Sequence, residues 1–473
     1  MGRTRYLFTR IGGLGVVRDL AIIAIAGIIA LELLVPLNYA ARSVLVMLVA
    51  SLSFYRLAAS DNAPQLYRVI LYLGAFALLA LQALLLVRDL QGVPVLWDFV
   101  AFYFDSHVAR YGDSLYDPAE YRAALARLQE TLAALGITLD HTITAGVIDT
   151  GYKNPPFTAF LIYPMTFLPM SASHVAWRLA MTASAFLLVV LISRYFVRHF
   201  QPVGKLTFWD YLAFTLLIVL SIRGTTATIG YGQTSALVAV FLFLAIAAGE
   251  RSQAGLWAAL GIIVKPVAAI MLLVFIVLRG WKRLSVAIGV LLAAVAASTA
   301  FFGVDEWASY LRQDYVERLP AWDFYGENTT SLLAEITRWK GVEDYPWTSP
   351  GLMELFYGIS FALLVLGSLI AFGYGRSRPM LSASLLITIG LAAYPGTQLS
   401  YGVMMAVPLA VVLPELWARR QDVTVNVFVL CTVLGLLNYI PVLAWFFLAA
   451  VNVGLLLVRG EWAVGLQPGR KTT

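Results

Sequence analysis

The chain has 473 residues, of which 60% are hydrophobic and 13% are charged, and its mean hydropathy is +0.80. This composition excludes an ordinary soluble enzyme and is typical of a protein that crosses a membrane several times. The formal net charge of +6 does not indicate nucleic-acid binding, because the basic residues lie in short turns between apolar segments.

Hydropathy divides the chain into apolar segments, and a helix needs roughly 20 such residues to cross a bilayer. We predict transmembrane helices over residues 17–37, 43–59, 67–88, 174–197, 207–224, 234–249, 283–302, 351–372, 378–394, 402–417, 423–440 and 442–458. The fold class is therefore an all-α polytopic membrane protein, with one transmembrane domain over 1–473 and a bundle of about 12 helices.

Basic residues in the turns predict the orientation of this bundle. With a cytoplasmic N-terminus, the inner turns hold Arg56, Arg68, Arg194, Arg198, Lys205, Arg251, Arg279, Lys282, Arg283, Arg376, Arg378, Arg419 and Arg420. This distribution satisfies the positive-inside rule. The start, MGRTRYLFTRIGG, has no pattern of a cleaved signal peptide. We therefore expect both termini in the cytoplasm of a bacterial inner membrane. The single cysteine, Cys431, excludes an internal disulfide.

Two apolar segments fit the charge rule only if they do not cross the membrane. The segment 155–169 is short and has proline at both ends and one in the middle. This pattern predicts an interfacial or re-entrant element on the outer side. Residues 254–279 are interrupted by Lys265 and Pro266 and are flanked by basic residues on both sides. We predict two half-length helices that enter and leave from the cytoplasmic side, a geometry that needs surrounding protein or a cavity.

Two long loops, 89–173 and 303–350, are predicted on the outer face, where a site would be built. Asp98 and Asp105 in the first loop are seven residues apart and would share one face of a helix. Asp117 and Glu120 have the spacing of a helix N-cap and a capping acid, so an amphipathic helix should follow. Asp98 could be an interfacial acid that pairs with an arginine, or a helix cap. It could instead be a general base, since its apolar neighbours can raise a carboxylate pKa.

A series of motifs resembles the glycosyltransferase C superfamily, and within it glycosyltransferase family 87, the polyprenol-phosphate-mannose-dependent mannosyltransferases. The matching stretches are WDFVAFY at 97–103, SLYD at 114–117, YKNPPFTAFLIYPMTFLP at 152–169, GYGQTSAL at 230–237, GIIVKP at 261–266, ENTTSLLAEITRW at 327–339 and YPGTQLSYG at 394–402. The resemblance runs from about residue 90 to about residue 440, so that 1–66 reads as two additional N-terminal spans.

This resemblance implies a GT-C-type bundle that acts on its outer face with a sugar carried on a polyprenyl phosphate. The catalytic base of the family, an aspartate in the first outer loop, corresponds to Asp98. One motif departs from the family pattern, because Ser400 and Tyr401 stand where the family carries a pair of histidines. The identity of the sugar therefore stays open between mannose and an arabinofuranosyl or other pentosyl or hexosyl donor.

A phosphate donor needs cations that hold it and stabilise it as a leaving group. The candidates are Lys153, Arg223 and Lys265. Lys153 and Arg223 could instead extend into lipid headgroups, and Lys265 could belong to a buried structural pair. The candidates for sugar or acceptor binding are Asp105, Gln233, Asn328, Gln398 and Tyr401. Helix capping and loop structure are the alternative roles for Gln233 and Asn328.

We expect no cofactor and no metal, because His107, His141, His174 and His199 lack ligand spacing and a phosphate leaving group can be held by cations alone. The expected partners are a polyprenyl-phosphate sugar donor, a glycolipid or glycan acceptor and membrane lipid, with no nucleic acid, and the protein should be a monomer. The alternative function is a transporter or flippase of lipid-linked sugars. That class favours internal repeats, which are not evident here.

Overall fold

The computed structural model describes residues 39–91, 97–111, 114–117, 154–312, 330–341, 349–419 and 423–458, with scattered positions between 119 and 130. All regular elements in these ranges are helical, which confirms the all-α prediction. The predicted span 17–37, Lys153 and Asn328 lie outside the described residues, and so do the side chains of Asp98 and Asp105.

The N-terminal half begins with two antiparallel helices and continues with shorter elements before the first long helix. The bounds are α1 Tyr39–Ala59, α2 Gln65–Gln91, α3 Trp97–Arg110, α4 Pro156–Ile162, a 3-10 turn Tyr163–Phe167, α5 Met170–His199, α6 Phe208–Ser221, α7 Arg223–Tyr231 and α8 Ser235–Ala247. Helix α4 begins with Pro156 at its first position, where a missing N–H is harmless.

The second half contains a broken helical pair and then long antiparallel helices. The bounds are α9 Gln253–Val264, a 3-10 turn Pro266–Ala269, α10 Ile270–Val277, α11 Trp281–Phe302, α12 Val304–Arg312, α13 Leu332–Lys340, α14 Pro350–Tyr374, α15 Pro379–Ala393, a 3-10 segment Leu399–Met405, α16 Ala406–Ala418, α17 Val423–Tyr439 and α18 Pro441–Leu457.

Several of these helices are long and apolar enough to cross a membrane. Within the described part of the chain, they are Gln65–Val87, Met170–His199, Trp281–Phe302, Gly351–Tyr374 and Leu399–Ala418. The pair α6 and α7 also qualifies as one span, although the two helices are bent by 72°. The other predicted spans that the structure covers coincide with shorter apolar helices. The chain is thus a multi-span membrane protein.

The turns that carry basic residues meet at one end of the bundle, called the basic end below. Arg68 donates to the Lys205 carbonyl, and Arg283 donates to the Gly249 carbonyl. Trp417 reaches the Gln201 carbonyl from the last turn of α16. Polar loops between the helices meet at the opposite end, called the site end, which holds residues 221–235, 263–266 and 394–402.

The broken pair α9 and α10 forms a hairpin whose tip is Lys265. Gly255, near the start of α9, lies so close to the Arg283 carbonyl that a Cβ there would overlap it. The Arg283 guanidinium also lies 5.3 Å from the ring centre of Phe275, near the end of α10. Both outer ends of the pair therefore lie at the basic end. The tip lies at the site end, since Thr158 of α4 donates to the Ile263 carbonyl over 3.1 Å.

The bend between α6 and α7 interrupts the helical hydrogen-bond ladder at Ile222. The Asn438 side chain repairs this interruption, because its Oδ1 accepts from the Arg223 backbone N–H at 2.8 Å and its Nδ2 donates to the Ser221 carbonyl at 3.2 Å. Asn438 is 2% exposed, so both of these hydrogen bonds are buried. An irregular backbone inside an apolar bundle needs such internal partners.

Candidate functional site

Lys265 is the centre of a polar cluster at the site end. Its backbone is extended, with φ −157° and ψ 121°, because Pro266 follows and disfavours helical angles at the residue before it. Its side chain is 9% exposed. The Nζ atom lies 2.7 Å from Gln233 Oε1 and 3.4 Å from Ser235 Oγ. These amide and hydroxyl oxygens help to compensate the cost of burying the ammonium group.

An aromatic ring completes this side of the cluster. The Nζ atom of Lys265 lies 3.9 Å from the centre of the Tyr401 ring, and Tyr401 stacks on Tyr394 with ring centres 6.2 Å apart. Gln398 Oε1 accepts from Gln233 Nε2 at 3.2 Å. Four residues predicted from sequence, Lys265, Gln233, Gln398 and Tyr401, are therefore brought together from three separate stretches of the chain.

The loop that carries Gln233 is fixed by its own backbone and by helix α5. Gly232 adopts a left-handed conformation with φ 72°, which ends α7, and the Gln233 N–H donates to the Thr228 carbonyl at 2.9 Å. Trp177 Nε1 donates to the Gly232 carbonyl at 2.6 Å. Gln233 is thus held in place before any ligand binds.

Helix α7 packs directly on the 3-10 segment Leu399–Met405, and this contact sets the position of Tyr401. Thr228 Oγ1 donates to the Ser400 carbonyl at 2.9 Å. A Cβ at Gly224 would lie 2.5 Å from the Leu399 carbonyl oxygen and 2.8 Å from the Gly402 Cα. The two segments therefore approach backbone to backbone, which only glycine at position 224 allows.

Arg223 lies at the same end of the bundle but outside the Lys265 cluster. It begins α7, whereas Gln233 follows the end of that helix, and a helix of this length spans about 13 Å. The Arg223 side chain is partly buried, and its backbone N–H is held by Asn438. The structure does not bring Arg223 into contact with Lys265, so these two predicted cations belong to different parts of the site end.

Helix α3, whose backbone includes Asp98 and Asp105, packs on α5 and α4. Phe99 is fully buried against His174 and Trp177, with ring centres 5.4 Å and 6.1 Å apart. Ser106 Oγ donates to the Ala159 carbonyl of α4 at 3.2 Å. Trp177 thus contacts both the helix of Asp98 and the loop of Gln233. This shared contact places the start of α3 beside the loops of the Lys265 cluster.

The two predicted outer loops contact each other through helix α12. The Leu115 N–H donates to a carboxylate oxygen of Glu306 at 3.1 Å. The Tyr116 hydroxyl donates to the Asn154 carbonyl at 2.7 Å, and its ring lies 5.9 Å from that of Tyr310. Burial raises the pKa of the Glu306 carboxyl, and hydrogen bonds from Ser114 and Leu115 partly offset this effect.

The SLYD turn confirms one capping prediction and corrects another. Asp117 Oδ1 accepts from the N–H groups of Ala119 and Glu120 at 2.7 Å and 3.2 Å, as an N-cap does. In a capping box the Glu120 carboxylate would accept from the Asp117 N–H, but that N–H donates to Ser114 Oγ at 3.2 Å. Glu120 accepts instead from the Ser114 N–H at 2.6 Å, because the turn folds back over the helix start.

Arg178 is not among the sequence-predicted site residues, although it is 2% exposed in the first third of helix α5. It lies one helical turn after His174 and directly follows Trp177. Its charge stood inside the predicted span 174–197, where an arginine is costly to insert and often functional. The sequence itself therefore carries a signal for Arg178.

The cluster has the chemistry of an anion site. The Lys265 ammonium group contacts amide, hydroxyl and aromatic groups, and an ammonium group can donate charge-assisted hydrogen bonds to a phosphate. In the described part of the chain, no three His, Cys, Asp or Glu side chains come together as a metal site. The expected absence of a metal stays a prediction, because the Asp98 and Asp105 side chains lie outside that part.

A protein-family model matches part of this chain. The model of glycosyltransferase family 87 matches residues 152–395, slightly more than half of the 473 residues. The matched range contains Gln233 and Lys265, while Asp98 precedes it and Tyr401 follows its end. Neither the curated proteins nor the solved structures contain a match to this chain.

Proposed function

Since the chain belongs to glycosyltransferase family 87, and is thus a membrane glycosyltransferase, we propose that it transfers mannose from a polyprenyl-phosphate donor to a glycolipid or glycan acceptor. The observation that carries the choice of donor is the Lys265 cluster. A lysine that is 9% exposed and whose ammonium group lies among Gln233, Ser235 and the Tyr401 ring suits a phosphate that must be held and then released.

The proposed reaction is a single displacement at the anomeric carbon. Asp98 takes the proton of the acceptor hydroxyl, the acceptor oxygen bonds to the anomeric carbon, and the bond from that carbon to the phosphate oxygen breaks. The polyprenyl phosphate leaves with its added negative charge opposite Lys265. Attack from the side opposite the phosphate inverts the anomeric configuration. Lys153 and Arg223 are proposed as further phosphate contacts, and Asp105 and Asn328 as sugar or acceptor contacts.

The proposed orientation places the site end outside and the basic end in the cytoplasm of a bacterial inner membrane, with both termini inside. The clustering of basic turns at one end supports this orientation. In this arrangement α9 and α10 form a re-entrant hairpin within a GT-C-type bundle of about 12 helices. The donor phosphate lies at headgroup depth on the outer face, and the polyprenyl chain lies in lipid.

The decisive experiment incubates the purified protein with polyprenyl-phosphate mannose or polyprenyl-phosphate arabinofuranose and a membrane lipid extract. Mass spectrometry identifies the product, and NMR gives its anomeric configuration. We expect a mannosylated product with inverted configuration. An arabinosylated product would replace the proposed sugar, whereas a retained configuration would contradict the displacement. Donor that crosses the bilayer without any product would favour the transporter instead.

The role of Asp98 is tested with Asp98→Asn, which keeps the shape of the side chain but cannot accept the proton. Turnover should fall by about 10²-fold or more while donor binding is preserved. Asp61→Asn is the matched control, because Asp61 is exposed in the turn between α1 and α2 at the basic end. Near-normal turnover of Asp98→Asn would remove Asp98 from the role of base.

The role of the cations is tested by donor titration at fixed acceptor for Lys265→Met, Lys153→Ala and Arg223→Ala. Hydrogen bonds to charged groups contribute about 1.5–3 kcal/mol. Loss of the cation that holds the phosphate should therefore lower the affinity for the donor roughly 10- to 100-fold. Lys265→Met should have the largest effect. An unchanged donor dependence in this variant, with a normal melting temperature, would return Lys265 to a structural role.

The orientation is tested by labelling intact cells with a membrane-impermeant thiol reagent. Single cysteines are placed at positions 140, 325, 203 and 420 in a Cys431→Ser background. Positions 140 and 325 should be labelled from outside, and positions 203 and 420 should not. Val203 is 70% exposed, so burial would not explain a lack of labelling there. Labelling of position 203 from outside would reverse the proposed orientation.

A further inference from the structure

Two arginines converge at the basic end, at the opposite end of the bundle from the Lys265 cluster. Arg378 immediately precedes α15, and Arg419 immediately follows α16. Arg378 Nη1 donates to the Leu455 carbonyl in the last turn of α18 at 2.5 Å, and Arg419 Nη2 donates to the same oxygen. Two guanidinium groups thus share one carbonyl oxygen at the point where three helix ends meet.

The backbone at this point is fixed by helix packing. The Arg378 N–H donates to the Tyr374 carbonyl of α14 at 2.8 Å, and Pro379 starts the next helix. Helices α15, α16 and α18 all pack on one another. Both arginine side chains are partly buried. Their convergence therefore follows from the fold and does not depend on a flexible surface side chain.

The described surroundings of the two arginines carry more positive than negative charge. Burial lowers the pKa of the Arg419 guanidinium, the charge of Arg378 lowers it further, and Glu415 has the opposite effect. Among the side chains that the structure describes, no carboxylate lies within 4 Å of either guanidinium. One arginine would suffice to cap a helix C-terminus through its terminal carbonyls. The second adds repulsion, which an anion bound to both groups would relieve.

The donors that remain suit a phosphate group. Each guanidinium has five N–H donors, and one from each group is directed to the Leu455 oxygen. Exposed apolar side chains follow directly, since Leu457 is 51% exposed and Val458 is 57% exposed. A ligand that fits both features has an anionic phosphate head and a hydrocarbon chain.

We propose that Arg378 and Arg419 form a binding site for the phosphate headgroup of an anionic phospholipid at the basic end. The site is separate from the transfer reaction and holds the ends of α15, α16 and α18 together through the bound headgroup. It does not depend on the identity of the sugar donor. A phosphatidylglycerol molecule bound there would neutralise the pair and extend its acyl chain along the exposed end of α18.

The test measures lipid binding and melting temperature of the purified, delipidated full-length protein in detergent. The probes are phosphatidylglycerol, phosphatidylcholine and inorganic phosphate, each titrated into wild type and Arg378→Gln/Arg419→Gln. Phosphatidylglycerol should raise the melting temperature of the wild type, and its affinity should fall at least about tenfold in the double variant. Phosphatidylcholine should bind the wild type more weakly, because its choline group cancels the headgroup charge.

Two control variants keep the outcome interpretable. Arg251→Gln/Lys282→Gln removes two exposed charges from the same end and should retain phosphatidylglycerol binding. Arg378→Lys/Arg419→Lys keeps the charge and should recover part of the binding if the double glutamine variant folds poorly. Equal phosphatidylglycerol affinity in wild type and both charge-removing variants would overturn the proposal. The same shift with inorganic phosphate alone would replace the lipid by free phosphate.

Discussion

The Nζ atom of Lys265 lies 3.9 Å from the centre of the Tyr401 ring, at the tip of a helical hairpin. Tyr401 stands at one of the two positions where the resemblance to family 87 leads us to expect histidine. A tyrosine ring offers the ammonium group an electron-rich face, whereas a protonated histidine would repel it. We therefore expect the Tyr401 ring to hold the ammonium group of Lys265 in place at the proposed phosphate site.

Replacement of Tyr401 by leucine should weaken the binding of the sugar donor, because Lys265 would lose its contact with the aromatic ring. A desolvated cation–π contact contributes about 0.5–2 kcal/mol, so the donor KM should rise roughly 2- to 30-fold. Tyr401→Phe keeps the ring face and should remain close to wild type. Donor titration of both variants makes this comparison. Equal impairment in the two would mean that the hydroxyl matters, in line with a direct contact between Tyr401 and sugar or acceptor.

Replacement of Gly224 by alanine should separate α7 from the 3-10 segment Leu399–Met405. The added methyl group would lie 2.5 Å from the Leu399 carbonyl oxygen, and overpacking of this kind costs about 1–3 kcal/mol. Melting temperature and turnover should both fall. Gly230→Ala is the matched control in the same helix, because a Cβ there meets nothing within 4 Å. Equal behaviour of the two variants would disprove the close approach.

Replacement of Asn438 by leucine should destabilise the bend between α6 and α7. The Arg223 N–H and the Ser221 carbonyl would both lose their side-chain partner in an apolar setting, at about 1–3 kcal/mol each. Thermal unfolding in detergent measures the loss. Asn452→Leu is the control, since the hydrogen bond of buried Asn452 goes to a carbonyl within its own helix. A similar small effect in both variants would argue against the repair of the bend by Asn438.

The contact between Glu306 and the SLYD turn should depend on pH. Burial raises the pKa of Glu306 above its ordinary value of 4.5, so the folded state binds its proton more tightly than the unfolded state. This contribution to stability is fully present below pH 4.5 and is lost as pH rises through the raised pKa. Glu306→Gln should remove this dependence and protect residues 114–117 better at neutral pH.

Hydrogen exchange of residues 114–117 between pH 4.5 and pH 8 gives the readout for Glu306, after correction for the intrinsic exchange rate. Asp61→Asn is the control, because Asp61 is exposed in the turn between α1 and α2 at the basic end and does not contribute to the Glu306 pKa. The control should keep the wild-type pH profile. A Glu306→Gln profile that matches the wild type would show that another group titrates in this range.

Sequence and structure differ most clearly between residues 225 and 233. This stretch lies between the predicted spans 207–224 and 234–249 and contains polar residues such as Thr225 and Thr228. The structure forms helix α7 there. The Thr225 and Thr228 hydroxyls donate to the carbonyls of Val219 and Gly224, which lets a polar helix lie buried against the segment of Ser400. Hydropathy alone does not predict hydrogen bonds between a side chain and the backbone of its own helix.

The sequence by itself determined the membrane character of the chain, the helical class and the break at Lys265 and Pro266, since apolar length and proline geometry act locally. It also singled out Gln233, Lys265, Gln398 and Tyr401 as separate candidates. Only the tertiary structure decided that these four share one cluster, that Arg223 lies apart from it and that Arg378 and Arg419 converge on Leu455. Those relationships depend on helix packing between residues far apart in the chain, which no local pattern encodes.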